Sequence, residues 1–299
     1  MKRKLVKQGE NTLTISLPSA WVNSFGLKPG DEVELNEENK GLLISTSAEF
    51  KPRKSEIDIS GLRKSLAYVY ITDCYIRGDD EIKVRYDSPE LLEVITGACN
   101  SLLGFAIIEQ GKNYCILKDL SGTTQNDFDM LFRRILLLIG SMGDSGLEAL
   151  KKKDIKSLIV ISKTDEAINK FTNYCLRSLN RKGYRDFQKT MHYYTIIALL
   201  EQLGDEYARL YKGIHAPVSR GGIKLFEDFV GMSRKFSTLF HKYDKAVATD
   251  IFNTRDRLRE MTLEKMNKPC INDVILLYRI RKMTELMADI IKLEIGLHI

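Results

Sequence analysis

The sequence predicts a multidomain, mainly α-helical protein with a small β-rich module at its N-terminus and an α+β domain in the middle. Three observations lead to this prediction. Residues 1–46 read as short strands and turns, residues 47–124 alternate between strand and helix patterns, and residues 125–299 carry apolar residues at helical spacing. A chain of 299 residues has room for two domains and a very small third one.

The composition is that of a soluble globular protein. Hydrophobic residues make up 43% of the chain and charged residues 29%, and the net charge of +6 permits a nucleic-acid partner without demanding one. No apolar run is long enough to cross a bilayer, and no apolar block follows the basic N-terminus. We therefore expect a cytoplasmic protein without a signal peptide or membrane insertion.

The cysteines and histidines argue against a metal or redox centre built from them. The four histidines are dispersed and no C-x-x-C pair occurs, so we expect reduced core thiols. The sequence also contains no nucleophile–base set, P-loop or metal-hydrolase motif, which predicts a protein that is not an enzyme. The five cysteines are Cys74, Cys99, Cys115, Cys175 and Cys270.

The N-terminal module is predicted to contain four short strands and one short helix. Pro18 suits the first turn of the helix, where a missing N–H costs nothing, and Gly26 ends it. In the alternating third strand, Val33 and Leu35 are expected to face inward. Forty-six residues bury too little surface to be stable alone, so the module implies a dimer. The strands are predicted at 4–8, 13–17, 32–35 and 41–45, and the helix at 19–25.

Two sets of side chains in this module are candidates for nucleic-acid binding. The first set is basic and suits phosphate groups, and the second is short and polar and suits base edges. A dimer would present eight cations about a two-fold axis. A basic N-terminus can also be no more than a solvated tail. The basic residues are Lys2, Arg3, Lys4 and Lys7, and the polar ones are Asn11, Thr12, Thr14 and Ser16.

The run V-K-Q-G-E-N-T-L-T-I-S-L-P-S-A-W-V-N-S-F-G-L-K-P-G-D-E-V-E-L resembles the AbrB/MazE/SpoVT swapped-hairpin family over residues 3–45. The segment G-L-K-P-G-D-E-V at 26–33 matches the family pattern nearly letter for letter. This resemblance implies an intertwined β dimer that binds DNA. The family often has a DNA-contacting arginine on the short helix, and Trp21 stands in that region here.

The middle region, 47–124, is predicted to be an α+β domain with the element order β-α-β-α-β-β, which we interpret as ferredoxin-like. It contains no phosphate-binding glycine loop. Two roles stay open for it: a spacer or dimerisation domain, or a small-ligand sensor. The strands are predicted at 57–59, 82–86, 105–110 and 114–118, and the helices at 62–75 and 89–103.

The third region is predicted to consist of six helices in two groups of three, with a break near 214–222. This is the pattern of a duplicated three-helix bundle. Residues 219–224 precede a helix and could hold an anion on free backbone N–H groups, or form a plain linker. The six helices are predicted at 126–148, 154–181, 185–213, 222–244, 246–267 and 270–297.

Two pairs of acids at i,i+4 spacing are the candidate chemistry of the helical region. Each pair can direct its oxygen atoms at one cation, although the like charges repel in a bare helix. Arg209 and Arg281 offer the alternative, because each lies four residues from an acid and can form a surface ion pair. The pairs are Glu201 with Asp205, and Glu285 with Asp289.

The segment L-E-Q-L-G-D at 200–205 resembles the L-E-R-I-G-D signature of PhoU phosphate-regulatory proteins. This resemblance implies two three-helix repeats in which E-x-x-x-D pairs bind a multinuclear cluster of metal ions, so a divalent or ferric ion is a possible cofactor. Asp165 and Asp256 match the acidic starts of the middle helices. Thr172 and Leu176 occupy the places of the expected pair in the first repeat, and Ala288 replaces the preferred glycine in the second. A reduced or absent metal site is the alternative.

Together these patterns predict a dimeric DNA-binding regulator of phosphate homeostasis. The two resemblances supply the DNA-binding module and the phosphate-related body. The alternative is a signalling adaptor whose helical body docks on a phosphate transporter, while the N-terminal module only dimerises.

Overall fold

The computed structural model of the chain describes residues 1–38, 41–46, 52–121, 127–267 and 273–298, with the side chains at 36–38, 43 and 267 left out. The chain divides into two compact units, Met1–Lys54 and Ser55–Ile299. The predicted domain boundaries after residues 46 and 124, and the predicted start of the last helix at 270, fall on or beside residues outside the described ranges.

The first unit contains two antiparallel two-stranded sheets and one short helix, as the sequence predicts. Gly9 has a φ of 78° in the turn between the first two strands. The helix ends at Gly26, whose left-handed φ of 64° lets its N–H donate to the Asn23 carbonyl. The elements are β1 Val6–Gln8, β2 Thr12–Thr14, α1 Ser19–Phe25, β3 Glu34–Glu38 and β4 Gly41–Ser45.

The described residues of this first unit form no core of their own in a single chain. None of those whose burial is described, within 1–35, 41, 42, 44–46 and 52–54, is buried. Six large apolar side chains are instead between 47% and 63% exposed: Leu5, Val6, Leu13, Ile15, Leu35 and Leu42. The prediction that Leu35 faces inward is therefore wrong for one chain, because a single copy provides nothing for this side chain to pack against.

The second unit begins with an α+β domain whose four-stranded sheet has the strand order β5 (Lys54–Asp58), β6 (Glu81–Arg85), β8 (Tyr114–Asp119) and β7 (Phe105–Gln110). The last strand, β8, pairs antiparallel with both β6 and β7. The α+β class is confirmed, but the ferredoxin-like interpretation is wrong, because that fold needs the element order β-α-β-β-α-β. Here the element order is β-α-β-α-β-β, so the two consecutive strands, β7 and β8, come after both helices. The elements are β5 Lys54–Asp58, α2 Lys64–Arg77, β6 Glu81–Arg85, α3 Pro89–Ser101, β7 Phe105–Gln110 and β8 Tyr114–Asp119.

The two helices of this domain pack over a buried apolar core that includes Ile71, Ile82, Ile95 and Leu117. Strand residues alternate between buried and accessible, so β6 buries Ile82 and Val84 while its other side chains stay accessible. This alternation is typical of a sheet with one face in the core.

The rest of the second unit is helical, and the helical segments predicted from the sequence are confirmed with one correction. The predicted helix 154–181 is two helices that meet at Lys163, which has helical backbone angles and gives no sequence signal for a break. No helix within the described residues is long and apolar enough to cross a membrane. The helices are α4 Asp127–Lys152, α5 Ile155–Ser162, α6 Thr164–Lys182, α7 Thr190–Gly213, α8 Arg220–Leu239, α9 Lys245–Asn267 and α10 Val274–Gly296, with a 3₁₀ turn at Phe187–Lys189.

Two glycines of α4 let buried tyrosines of α7 approach closely. A Cβ at Gly146 would lie 2.0 Å from the Tyr211 hydroxyl, and one at Gly143 would lie 3.0 Å from the Tyr207 hydroxyl. The Tyr211 hydroxyl donates to the Met142 carbonyl at 2.6 Å, so the buried phenol is satisfied. Helices α4 and α7 are therefore held in close contact.

A buried arginine fastens the α+β domain to the helical region. Arg177 of α6 is 3% exposed, and its guanidinium donates to the Tyr75 carbonyl at 2.8 Å and the Asp79 carbonyl at 2.6 Å. It also pairs with the carboxylates of Asp80 at 3.2 Å and Asp119 at 3.0 Å. Because these contacts connect α6 with α2, with the turn between α2 and β6, and with β8, the two parts form one compact unit.

The prediction of reduced core thiols is confirmed for the four cysteines that the structure describes. Cys74, Cys99, Cys115 and Cys175 are free and buried. Burial raises the pKa of the Cys175 thiol to about 12, so this side chain behaves as a small apolar group. Cys270 lies outside the described residues.

Candidate nucleic-acid interface and carboxylate clusters

The basic residues predicted to meet phosphates all lie at the start of the first unit. Lys2, Arg3 and Lys4 precede β1, and Lys7 lies within it. All four side chains are exposed. Their charges are therefore available to a polyanion, and none of the four is held inside the fold.

The strand register separates the predicted base-reading residues from Lys7. Lys7 pairs with Leu13, whereas Gln8 pairs with Thr12 and Val6 with Thr14. Because side chains alternate along a strand, Thr12 and Thr14 share one face of the ribbon and Lys7 lies on the other.

The remaining polar candidates differ in their surroundings. The Thr14 hydroxyl donates to the Val6 carbonyl at 3.1 Å, so only its lone pairs remain for a further partner. Asn11 lies in the turn and Ser16 follows β2, and both are exposed. These two side chains and Thr12 are the most accessible of the predicted base readers.

Trp21 replaces a cation with an apolar contact. Its ring lies 5.3 Å from the ring of Phe25, one turn further along α1. This contact stabilises the short helix, so Trp21 acts in packing.

The first acidic pair, Glu201 and Asp205, lies beside a third carboxyl group. The spacing of residues in the sequence did not predict this neighbour. Asp165 of α6 is 8% exposed, and its Oδ1 is buried without a hydrogen-bond partner. A Cβ at Gly204 would come within 3.2 Å of this oxygen, so the missing side chain lets α6 and α7 approach. The carboxyl groups of Glu201 and Asp205 on α7 both interact electrostatically with the carboxyl group of Asp165.

Burial and mutual repulsion make this cluster hard to ionise. Burial, followed by the charges of Asp205 and Asp165, raises the pKa of Glu201 to about 7. Burial and the Asp205 charge likewise raise the pKa of Asp165 to about 6. Arg209 pairs with Asp205, as its spacing predicts, and opposes these shifts in part. The cluster therefore holds protons near neutral pH.

In the second acidic pair, Glu285 and Asp289 each form an ion pair with a basic side chain. The guanidinium of Arg259 on α9 donates to both carboxylate oxygens of Glu285, at 2.7 and 2.8 Å, and Lys292 donates to Asp289 at 2.8 Å. An ion pair of Glu285 is thus confirmed, but the predicted partner Arg281 is wrong. Arg259 reaches Glu285 from the neighbouring helix, which local spacing cannot reveal.

The residues present do not fit a multinuclear metal cluster. Within the described ranges, no group of three or more His, Cys, Asp or Glu side chains is arranged to hold a metal ion. On α6 the Thr172 hydroxyl donates to the Asn169 carbonyl at 3.1 Å, and Leu176 is part of the apolar core. Metal binding by Glu201, Asp205, Glu285 and Asp289 stays a prediction.

Glu206 is a buried carboxylate that the sequence reasoning missed. Burial alone would raise its pKa, but hydrogen bonds from Lys282, Arg279 and Arg209 hold that pKa below the usual value. Lys282 donates to Oε1 at 2.9 Å, so α10 is fastened to α7. The cations at 279 and 282 lie one turn apart, which is the only local signal for this contact.

The candidate anion site before α8 is filled by the protein itself. The Ser219 N–H donates to Oδ1 of Asp273 at 2.8 Å, and the Ser219 hydroxyl bonds the other carboxylate oxygen. The same hydroxyl accepts from the Gly222 N–H at 3.0 Å as the helix cap. The position does suit an anion, and an internal carboxylate provides it.

These features define a multidomain, mainly helical protein that carries a small, coreless strand module with an exposed basic start. Residues 6–58 match the family model described as "Antidote-toxin recognition MazE, bacterial antitoxin". No curated protein matches the chain. The chain is similar to the crystal structure of the phosphate transport system regulatory protein PhoU from Streptococcus pneumoniae, at 16% identity and a TM-score of 0.45, over 57% of this chain and 93% of that one.

Proposed function

We propose that the chain is a non-catalytic transcriptional regulator of phosphate homeostasis that binds DNA as a dimer through its N-terminal module. The observation that carries the proposal is the coreless first unit with its exposed cations. Six apolar side chains of that unit are about half exposed or more in one chain, and an intertwined second copy would bury them.

The charge of the module supports DNA as its ligand. Lys2, Arg3, Lys4 and Lys7 of two copies supply eight cations, and each cation that meets a phosphate releases a counterion. Phosphate contacts set affinity and register, whereas short polar side chains such as Thr12 and Asn11 are suited to base edges. The match of residues 6–58 to an antitoxin family agrees with this assignment.

The phosphate part of the proposal rests on the L-E-Q-L-G-D motif at 200–205. This motif lies on α7, where Gly204 packs against α6 and Glu201 and Asp205 join Asp165 in the carboxyl cluster. In the proposal the helical region receives the cellular signal and the N-terminal module acts on the operator.

A signalling adaptor is the second candidate. It would use the N-terminal module only to dimerise and would dock its helical body on a phosphate transporter. The exposed cations of residues 2–7 favour the first candidate, because dimerisation of an apolar ribbon needs no basic segment.

Mapping of the DNA sites of the full-length protein across the genome, with and without phosphate starvation, tests the proposal. We expect discrete sites near phosphate-uptake genes whose occupancy changes on starvation. A map without enriched sites, together with recovery of a transporter in crosslinked complexes, would replace the regulator with the adaptor.

A further inference from the structure

The outer side of α2 carries an exposed apolar stripe in the α+β domain. Leu66, Val69 and Tyr70 are between 45% and 46% exposed, although this helix buries its opposite side against the sheet. A helix in a folded domain ordinarily turns polar residues outward, so three adjacent exposed apolar side chains indicate a contact surface.

The stripe has the spacing of a helix–helix seam. Arg63, Leu66, Tyr70 and Asp73 follow one another at intervals of three, four and three residues, which is the spacing at which side chains line the contact between paired helices. Arg63 is the N-cap residue of α2 and, like Asp73, is exposed. The apolar centre of the seam thus has a cation at one end and an anion at the other.

This charge arrangement is complementary to itself when two copies of α2 run antiparallel. Residues whose numbers sum to 136 then lie opposite each other, so Arg63 faces Asp73 of the second copy and Leu66 faces Tyr70. A parallel pair would place Arg63 against Arg63 and Asp73 against Asp73, which repel. A two-fold axis near residue 68 therefore satisfies the apolar and charged positions together, as an isologous contact requires.

We propose that α2 forms a second dimer interface, packing antiparallel against α2 of a second copy of this chain. The N-terminal dimer serves here only as a tether that keeps the second units of the two copies close together. Eight residues, 46–53, separate β4 from β5, and a linker this short gives the two second units an effective concentration on the order of millimolar. At that concentration a weak contact is enough, and this one combines three apolar side chains from each copy with two ion pairs.

Crosslinking of the full-length protein through a single engineered thiol tests the interface. In a Cys270→Ser background, Val69→Cys places two thiols next to the proposed axis, and a bismaleimide spanning about 10 Å matches the separation of packed helices. Ser141→Cys, exposed on α4, is the matched control. We expect position 69 to crosslink roughly tenfold faster than position 141, because only the former is held near its copy.

Charge reversal then tests the register. Arg63→Glu and Asp73→Arg should each slow crosslinking at position 69 by roughly two- to threefold, and the double reversal should restore it, because the two charges exchange places. Equal rates at positions 69 and 141, in a sample that sediments as a dimer, would overturn the α2 interface and leave the N-terminal dimer intact. Failure of the double reversal to restore the rate would overturn the antiparallel register.

Discussion

At the scale of single residues, the groups that matter most are charges buried far from their sequence neighbours. Arg177 meets Asp80 and Asp119 across chain separations of 97 and 58 residues. Its guanidinium also lies 4.8 Å from the Tyr75 ring centroid, so it combines charge, hydrogen bonds and aromatic packing. Replacing Arg177 should therefore destabilise the fold, because the carboxylates that it neutralises would stay buried.

We predict that Arg177→Met lowers the free energy of unfolding by about 3 kcal/mol, because it removes the buried cation that pairs with Asp119 and donates to the Tyr75 and Asp79 carbonyls, whereas Asp80 keeps its ion pair with Arg181. Chemical denaturation of the full-length protein measures this change. The matched control is Arg234→Met, which removes an exposed ion pair to Asp144 and should change stability by less than about 0.5 kcal/mol. Equal losses in the two variants would show that Arg177 is not a fastening residue.

The carboxyl cluster around Glu201 gives the protein a defined pH dependence. With a pKa of about 7 for Glu201 and about 6 for Asp165, the folded protein binds more protons than the unfolded chain between pH 4 and 7. The stability from these carboxyls is therefore complete below the unfolded pKa values near 4 and is lost as the pH rises through about 7.

We predict that Glu201→Gln raises stability at pH 8 by about 1 to 2 kcal/mol, allowing for partial solvent exposure, and flattens the decline between pH 5 and 8. Melting temperatures across this range measure both effects. Glu285→Gln is the matched control, because Arg259 neutralises Glu285, and it should bring no gain at pH 8. If the stability of the Glu201→Gln protein declined with pH as steeply as that of the wild type, the raised pKa assigned to Glu201 would be contradicted.

The sequence identified the candidate acids but only some of their partners. The i,i+4 rule placed Arg209 beside Asp205 correctly, since both lie on α7. The same rule chose Arg281 for Glu285, whereas Arg259 on another helix takes that position. Contacts within one helix follow from spacing alone, whereas contacts between helices depend on packing that one sequence does not display.

At the scale of secondary-structure elements, turn and helix-cap residues in the sequence predicted the positions of most helices and strands. Helix α1 was predicted residue for residue, because Pro18 and Gly26 mark its two ends. Strand β7 at Phe105–Gln110 was also predicted without error, next to the turn at Gly111. The break at Lys163 was missed, because neither glycine nor proline marks it.

The basic segment at the start of β1 provides a prediction for DNA binding. Changing Lys2, Arg3, Lys4 and Lys7 to Ala should weaken binding to all sequences and reduce the salt dependence, by about 0.9 in the log–log slope for each lost phosphate contact. Fluorescence anisotropy over a salt series with the full-length protein measures both.

A variant with the same loss of charge elsewhere serves as the control. Lys151, Lys152, Lys153 and Lys156 are exposed lysines at the junction of α4 and α5. Their replacement by Ala should leave the salt slope unchanged, because they lie in the second unit. Equal effects of the two quadruple variants would indicate a general effect of net charge instead of a local interface.

At the scale of the whole molecule, the two units differ in what a single chain provides. The second unit has continuous cores in its α+β and helical parts, whereas no residue of known burial in the first unit is buried. The small size of the N-terminal module already predicted this need for a partner. The structure adds the identity of the exposed side chains, among them Leu13 and Leu35.

Leu35 and Leu137 provide a matched test of the N-terminal dimer, because they are 59% and 60% exposed in one chain. We predict that Leu35→Glu shifts the monomer–dimer equilibrium towards monomer by at least about tenfold, since the proposed second copy would bury Leu35. Leu137→Glu on α4 should leave the equilibrium unchanged. Sedimentation velocity over a dilution series measures both variants, and equal behaviour would place the dimer interface outside β3.

The mass of the full-length protein bound to a DNA duplex tests the central claim most directly. Sedimentation of the protein with a labelled duplex gives the number of chains per duplex. We predict two chains of 34.2 kDa per duplex, with binding lost as salt is raised. One chain per duplex, or no binding at low salt by a protein that is dimeric, would contradict it.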